Sequence, residues 1–292
     1  MTRQPLIARR AEELLGSAVV ATAPVAGGDI STATRLRLSS GTTALMKTLT
    51  HAPEGFFEAE AAGLRWLGEV EGGVPVPEVL GADAECVILA WVEPAAKTNM
   101  EAASTFGQQL AATHRAGWEG TAEGRFGWDH DGFIGRLPLP NRPCETWPEF
   151  YATRRLLPYL KLARDRQAIS AEDAAAVEAV VGKLVSLVPE EPPARLHGDL
   201  WNGNVIWAGE DRVLVVDPAT YGGHREVDLA MLALFGLPQL QHVMAGYDEA
   251  APLADGWEDR LGFHQLFPLL VHACLFGGAY GARAAKLAAR YL

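Results

Sequence analysis

Residues 194–207 read ARLHGDLWNGNVIW, and the run RVLVVD follows at 212–217. A loop between apolar runs needs turn formers such as Gly, Asn and Asp. It does not need a histidine, an aspartate and two asparagines at fixed spacing, followed at once by another apolar run. The pattern commits this part of the chain to strands, RLH before the polar run and NVIWAG and RVLVVD after it. It also points to chemistry in the turn between them.

The spacing is specific. His197 and Asp199 are separated by one residue, and Asn204 stands five residues after Asp199. That is the arrangement of a kinase catalytic loop, in which the Asp accepts or orients the proton of an attacking hydroxyl and the Asn oxygen holds a magnesium ion. An Asx-rich turn joining two strands is the plainer alternative. Asp217, thirteen residues beyond Asn204 at the end of VLVVD, can supply the second metal ligand, although the following residues are Pro-Ala rather than Phe-Gly. Alone it would be an ordinary strand-end turn former.

Upstream, GGDIST at 27–32 places Gly27 and Gly28 between two expected strands, where backbone N–H groups could cover phosphates or simply turn a hairpin. The GxxxxGK[ST] pattern is absent, which argues against a Walker A loop followed by a helix. Lys47 lies near the centre of the next strand, TTALMKTLT, and Glu60 falls thirteen residues later on the helical stretch FFEAEAAGLRWLGEV, beside an apolar stripe of Phe57, Ala61, Leu64 and Leu67. Singly, these are a surface lysine and a solvated glutamate. In the order glycine turn, strand lysine, helix glutamate, HxD…N and a later Asp, they match the parts that aim an ammonium at nucleotide phosphates.

At 292 residues and 49% hydrophobic composition the chain can bury either one large core or two unequal ones. Strand patterns dominate to Trp91, interrupted by the helix bearing Glu60, and PEVLGA and CVILAWV complete them. Helical patterns dominate thereafter: 101–117 with Phe106, Leu110 and Thr113 on one side and Gly117 as a stop, then Trp147 to Arg166, then Ala171 to Val188 with Ser170 as N-cap. Between them, 118–147 is a Gly-, Pro- and aromatic-rich segment, expected to be functional or mobile. The reading is an α+β chain with a small β-rich N-terminal lobe, 1–91, and a larger, mostly helical C-terminal lobe, 92–292, with a ligand cleft between them.

The net charge of −11 repels polyanions, so nucleic acid is a poor partner, and any polyphosphate must be held by local groups and metal ions. Three dispersed cysteines without CxxC spacing, no signal-peptide pattern and no apolar run long enough to span a bilayer indicate a cytoplasmic protein without membrane attachment. Oligomeric state is not encoded in any pattern. His264 and His272, eight residues apart in an apolar helix, are read as packing residues, as is His114; Asp228 in GGHREVDLAML is read as a helix cap or as a brace for the catalytic loop.

LHGDLWNGN at 196–204, VVDPATYGGHREVDLAML at 215–232, FEAEAAGLRWL at 57–67, FGWDHDGFIG at 126–135 and WPEFYATRRLLP at 147–158 together resemble the fructosamine kinases, also called ketosamine kinases. The resemblance spans nearly the whole chain and implies a bilobal protein-kinase-like fold using ATP and Mg2+. It further implies that Asp199 is the proton acceptor, that Asn204 and Asp217 bind the metal, and that Lys47 and Glu60 position the phosphates. Leu89, Ala90 and Trp91 would form the hinge that meets adenine. Trp201, His197 and Asp228 would lie nearest the substrate, a ketosamine carried by a small amine or by a glycated protein lysine. Leu139-Pro-Asn141 stands where the family commonly has Gln-x-Asn, and Asp29 occupies the glycine turn. Another small-molecule kinase of the same fold, acting on an aminoglycoside or a choline-like alcohol, and a nucleotide-binding pseudokinase are the alternatives.

Overall fold

A computed structural model describes residues 3–26, 30–116, 124–209 and 211–292. Gly27, Gly28 and the expected helix stop at Gly117 lie outside the described residues. The chain opens with a helix, α1 (Arg3–Leu15), then β1 (Val19–Val25), β2 (Thr32–Leu38), β3 (Thr43–Thr48), α2 (Phe56–Gly68), β4 (Val79–Asp83) and β5 (Cys86–Ala90). The five strands form one antiparallel sheet in the order β1-β2-β3-β5-β4.

Strand alternation explains how that sheet is covered. On one face, Leu36, Ala44, Met46, Cys86 and Ile88 pack with Ala11 of α1. On the other, Val87 and Leu89 pack with Phe57, Ala61 and Leu64 of α2. Because β5 is covered on both sides, its apolar residues run continuously instead of alternating. Lys47 follows Met46 and therefore points to the α2 side, the side that carries Glu60.

α3 (Met100–Arg115) begins at Asn99, whose side chain accepts from the Ala102 amide at 2.9 Å. The segment after it supplies a short hairpin, β6 (Gly132–Ile134) and β7 (Leu137–Leu139). The helix expected over Trp147–Arg166 is one helical run in three registers: α4 (Trp147–Phe150), a π-type stretch (Tyr151–Leu156) and α5 (Leu157–Asp165). Pro158 has no N–H for the Arg154 carbonyl one turn earlier, and that carbonyl accepts instead from Arg155 Nη1 at 3.2 Å.

α6 (Ala171–Val181) is capped by Ser170, whose Oγ accepts from the Asp173 amide at 3.0 Å. It ends seven residues earlier than the apolar pattern suggested, at Gly182, and a separate turn, α7 (Leu184–Leu187), follows. Then come β8 (Ala194–Leu196), a 3₁₀ turn (Asn202–Asn204), β9 (Val205–Ala208), β10 (Arg212–Val215), β11 (Tyr221–Gly223), α8 (Glu226–Leu234), α9 (Leu240–Ala250), α10 (Trp257–His264), α11 (Leu266–Phe276) and α12 (Tyr280–Ala288). β8 pairs with β11 and β9 with β10, both antiparallel.

The α+β expectation holds: one antiparallel sheet is followed by a mostly helical remainder. Among the described residues no helix is long and apolar enough to cross a membrane. Cys86, Cys144 and Cys274 are all buried and free.

Candidate active site

Two strand-to-turn transitions create the site. From Leu196, paired with Tyr221, the chain enters His197-Gly198-Asp199. Gly198 has φ +83°, and a Cβ there would collide with the Ala219 carbonyl, so the two turns touch backbone to backbone. That closeness is fixed by the Ala219 amide donating to the His197 carbonyl at 2.8 Å and the Val216 amide to the Asn204 carbonyl at 3.0 Å. Leu200, fully buried, pins the loop to the core. Asp217, just past β10, takes the left-handed conformation with φ 56°, unusual for a residue with a side chain, and this turns its carboxylate out of the strand direction.

Asn204 Nδ2 donates to the Asp199 carbonyl at 2.8 Å and to Asp199 Oδ2 at 3.2 Å. Its amide nitrogen is thus spent on the loop, and Oδ1 is the atom it can offer to a cation. Across the cleft, Lys47 Nζ donates to both Glu60 oxygens, at 2.7 and 2.8 Å, and to Asp217 Oδ1 at 2.6 Å. Burial alone would favour a neutral lysine, but the two carboxylates overcome it and raise its pKa, so the ammonium stays charged. Asp199 is pushed the other way for a carboxylate, up to about 7, by burial and then by the neighbouring charge of Asp217; the hydrogen bond from Asn204 only partly offsets this.

Asp228 and His197 do not reach substrate space. Asp228 is fully buried beneath the loop, where its oxygens accept from the His197 amide at 2.8 Å and the Gly198 amide at 2.9 Å. A buried carboxylate with both oxygens so engaged braces the loop, and a substrate contact is excluded by its position. His197 is likewise buried, with Nε2 donating to the Val216 carbonyl at 2.8 Å and Nδ1 accepting from the Asp199 amide at 3.3 Å. It ties the two turns together.

The brace extends to His114, read from the sequence as a packing residue, and to Tyr247, which the sequence did not mark. His114 Nε2 lies 3.1 Å from Asp228 Oδ2, and His114 Nδ1 lies 2.8 Å from the Tyr247 hydroxyl. With the Tyr247 hydroxyl donating to Nδ1 and Nε2–H donating to Asp228, one arrangement of hydrogen bonds satisfies all three groups. Tyr247 and His114 come from α9 and α3, far from the loop in sequence, and no local pattern could have announced them.

These turns open on a cavity of about 940 Å³ that Lys47, Glu60, Asp199, Asn204 and Asp217 all line. Its other walls are aromatic, with Trp128, Phe133, Trp201, Phe235, Phe276 and Tyr280 among them. Trp201 packs edge-on against Phe235 at 5.9 Å, and its indole lies across Gly203, where a Cβ would collide with the ring. It is half-buried, so it both props the loop and faces the cavity. The β6–β7 hairpin also lines the cavity and reaches toward the sheet side, with Phe133 5.2 Å from Phe56 and Arg136 Nη2 donating to the Ile30 carbonyl at 3.2 Å. Buried Arg155 holds the base of that segment through the Pro140 carbonyl and Asn141 Oδ1, both at 2.7 Å.

Leu89, Ala90 and Trp91 do not line this cavity. The Ala90 amide donates to the Glu78 carbonyl at 2.8 Å and the Trp91 amide to the Thr43 carbonyl at 3.1 Å. Backbone donors of this segment are therefore already used in the sheet, and a base edge that needs an N–H must find it at Val92 or beyond.

A family model described as fructosamine kinase matches residues 4–292. A crystal structure from Thermobifida fusca, described as a fructosamine-3-kinase, is 49% identical, with a TM-score of 0.91 and 98% of each chain covered. A Thermus thermophilus protein assigned as a ketoamine kinase is 38% identical over 259 residues, 88% of each chain. The protein-ribulosamine 3-kinase of Arabidopsis thaliana, described as chloroplastic, is 31% identical over 275 residues, 92% of this chain and 81% of the relative. In fold alone the chain is similar to a macrolide 2'-phosphotransferase, with a TM-score of 0.65 at 18% identity over 99% of this chain and 97% of that one. The architecture is that of the protein-kinase-like phosphotransferases.

Proposed function

This chain belongs to the fructosamine kinase family, and on that premise we propose that it transfers the γ-phosphoryl group of ATP to a sugar hydroxyl of a ketosamine. The single observation that carries the reading is the convergence, around one cavity, of Lys47 paired with Glu60, of Asp217 in reach of that lysine, and of Asp199 bonded to Asn204. In this reading residues 1–91 and 92–292 are the two lobes that hold nucleotide and acceptor between them.

Each residue has a task that its geometry supports. Lys47, kept charged by two carboxylates, is aimed to meet nucleotide phosphates. Asp199, with a proton affinity lifted toward neutrality, is suited to receive the proton of the acceptor hydroxyl as the phosphoryl group arrives, because a base works best with a pKa near the working pH. Asn204 Oδ1 and the Asp217 carboxylate are oxygen donors of the kind Mg2+ takes, and they fit that ion. When bound, the ion neutralises charge on the β- and γ-phosphates. His197, Asp228 and His114 act only by holding the loop in place. Trp201 and its aromatic neighbours offer flat apolar faces to the C–H surface of a sugar. With little covalent chemistry required of the protein, positioning and charge neutralisation supply most of the acceleration. Three free, buried cysteines support a reducing, cytoplasmic setting.

The test is phosphate transfer from ATP and Mg2+ to a panel of fructosyl-lysine, ribulosyl-lysine, an aminoglycoside and choline. Transfer to one or both ketosamines is expected. Activity confined to the aminoglycoside or choline would replace the acceptor class, and nucleotide binding without transfer to any acceptor would make the chain a binding module.

A further inference from the structure

Outside the cleft, three groups able to ligate a metal meet inside the helical half. His224 follows β11, Glu226 opens α8 and His264 closes α10, all fully buried, and their ligand atoms lie within 4.8 Å of one another. Among the described residues no other group of three His, Cys, Asp or Glu side chains meets that condition. Glu226 Oε2 is 3.2 Å from His264 Nε2 and 4.0 Å from His224 Nδ1, and the two imidazoles stack at 5.1 Å and 19°.

His224 Nε2 and His264 Nδ1 are buried without a hydrogen-bond partner, and His264 Nε2 has only the Glu226 carboxylate, 3.2 Å away. A buried polar nitrogen in that state costs free energy, and two at one point require a reason. Ordinary packing does not supply one, since a phenylalanine would fill the same space without that cost. Two imidazoles and a carboxylate are a donor set favoured by Zn2+ and its neighbours. The Arg260 fork grips Glu226 at 2.6 Å on Oε1 and 3.0 Å on Oε2, fixing the carboxylate as outer partners of metal ligands do. Arg225 and Arg260 are balanced by Glu191 and Glu226, and Glu191 Oε2, 3.7 Å from His224 Nε2, stands nearest as a fourth donor.

We propose that His224, Glu226 and His264 form a buried site for a divalent metal ion of the zinc class, and that the ion fastens the start of α8 to the end of α10. Asp228 lies on that first turn of α8, two residues after Glu226, and holds the amides of His197 and Gly198. The ion is thus a structural clamp placed behind the catalytic loop, with no part in phosphoryl transfer.

The full chain, freed of metal with a chelator, is titrated with Co2+ and with Zn2+. We expect a tetrahedral cobalt visible spectrum that saturates at one equivalent per chain, and a rise in Tm with Zn2+. Both should vanish in His264→Phe, which keeps the aromatic packing, and both should persist in Asp217→Asn, which alters the cleft instead. Crystals of the unmodified chain soaked in Zn2+ should give an anomalous peak among the three side chains, a readout that does not depend on any variant folding. A zinc-insensitive Tm with no peak there, a peak confined to the cleft, or a cobalt spectrum that survives His264→Phe would each overturn the proposal.

Discussion

Asp199 is held in the fold at a cost. Its ordinary pKa of 3.8 rises to about 7 beside Asp217 and out of water, so the native state binds its proton more tightly than the unfolded chain does. Below pH 4 both states are protonated and nothing is lost. As pH rises toward 7 the unfolded chain releases the proton first, and stability falls; above 7 the full penalty is present. Asp199→Asn should therefore raise Tm at pH 8, by a stability gain on the order of 1–2 kcal/mol, and the gain should shrink steadily toward pH 4. The same variant should lower turnover roughly 10²- to 10⁴-fold. Thermal melts across pH, alongside rates of transfer to the acceptor, check both halves, and an Asn variant less stable than wild type at pH 8 would contradict the first. Asp199 and Asn204 could be singled out in sequence because they stand at a short fixed spacing within one loop. The roles of His114 and Tyr247 could not, because they reach the loop through Asp228, 114 residues from His114 along the chain, by contacts that only the fold creates.

Among elements, α3 and α9 approach each other closely enough for backbone to meet backbone. A Cβ on Gly107 would collide with the Val243 carbonyl, and one on Gly246 with the Ser104 carbonyl, so each helix presents a glycine to the other's backbone. Gly107→Ala must push the helices apart and should cost about 1–3 kcal/mol or more. Because α3 carries His114 and α9 carries Tyr247, a shifted crossing also disturbs the support of Asp228, and turnover should fall along with stability. Urea denaturation with parallel assays tests this; unchanged midpoint and activity would show that the helices adjust freely. The long amphipathic elements, α2 and α3, were readable from their apolar stripes, and so was the Ser170 cap. Three features were not. α1 carries charges through its apolar positions, β11 is only three residues long with two glycines, and the π-type stretch depends on Pro158 meeting a turn already in place.

For the molecule as a whole, the α+β order followed from the succession of strand and helix patterns. The aromatic character of the cleft did not, since Trp128, Phe133, Phe235 and Phe276 come from separate segments that converge only in three dimensions. With a net charge of −11, attraction for an anionic nucleotide must be made locally, and among the described residues Lys47 is the one Lys or Arg that lines the cleft, beside Asp199 and Asp217. Its bond to Asp217 Oδ1 at 2.6 Å makes the ammonium a rival of any cation seeking that carboxylate. Structure here becomes sequence in time: free Mg2+ has to compete with a resident ion pair, whereas Mg2+ arriving on ATP brings phosphates that draw Lys47 away in the same event. Magnesium alone should leave Tm unchanged at concentrations where the magnesium–nucleotide complex raises it, and initial-rate kinetics should show the metal entering with the nucleotide as a single ligand, never ahead of it.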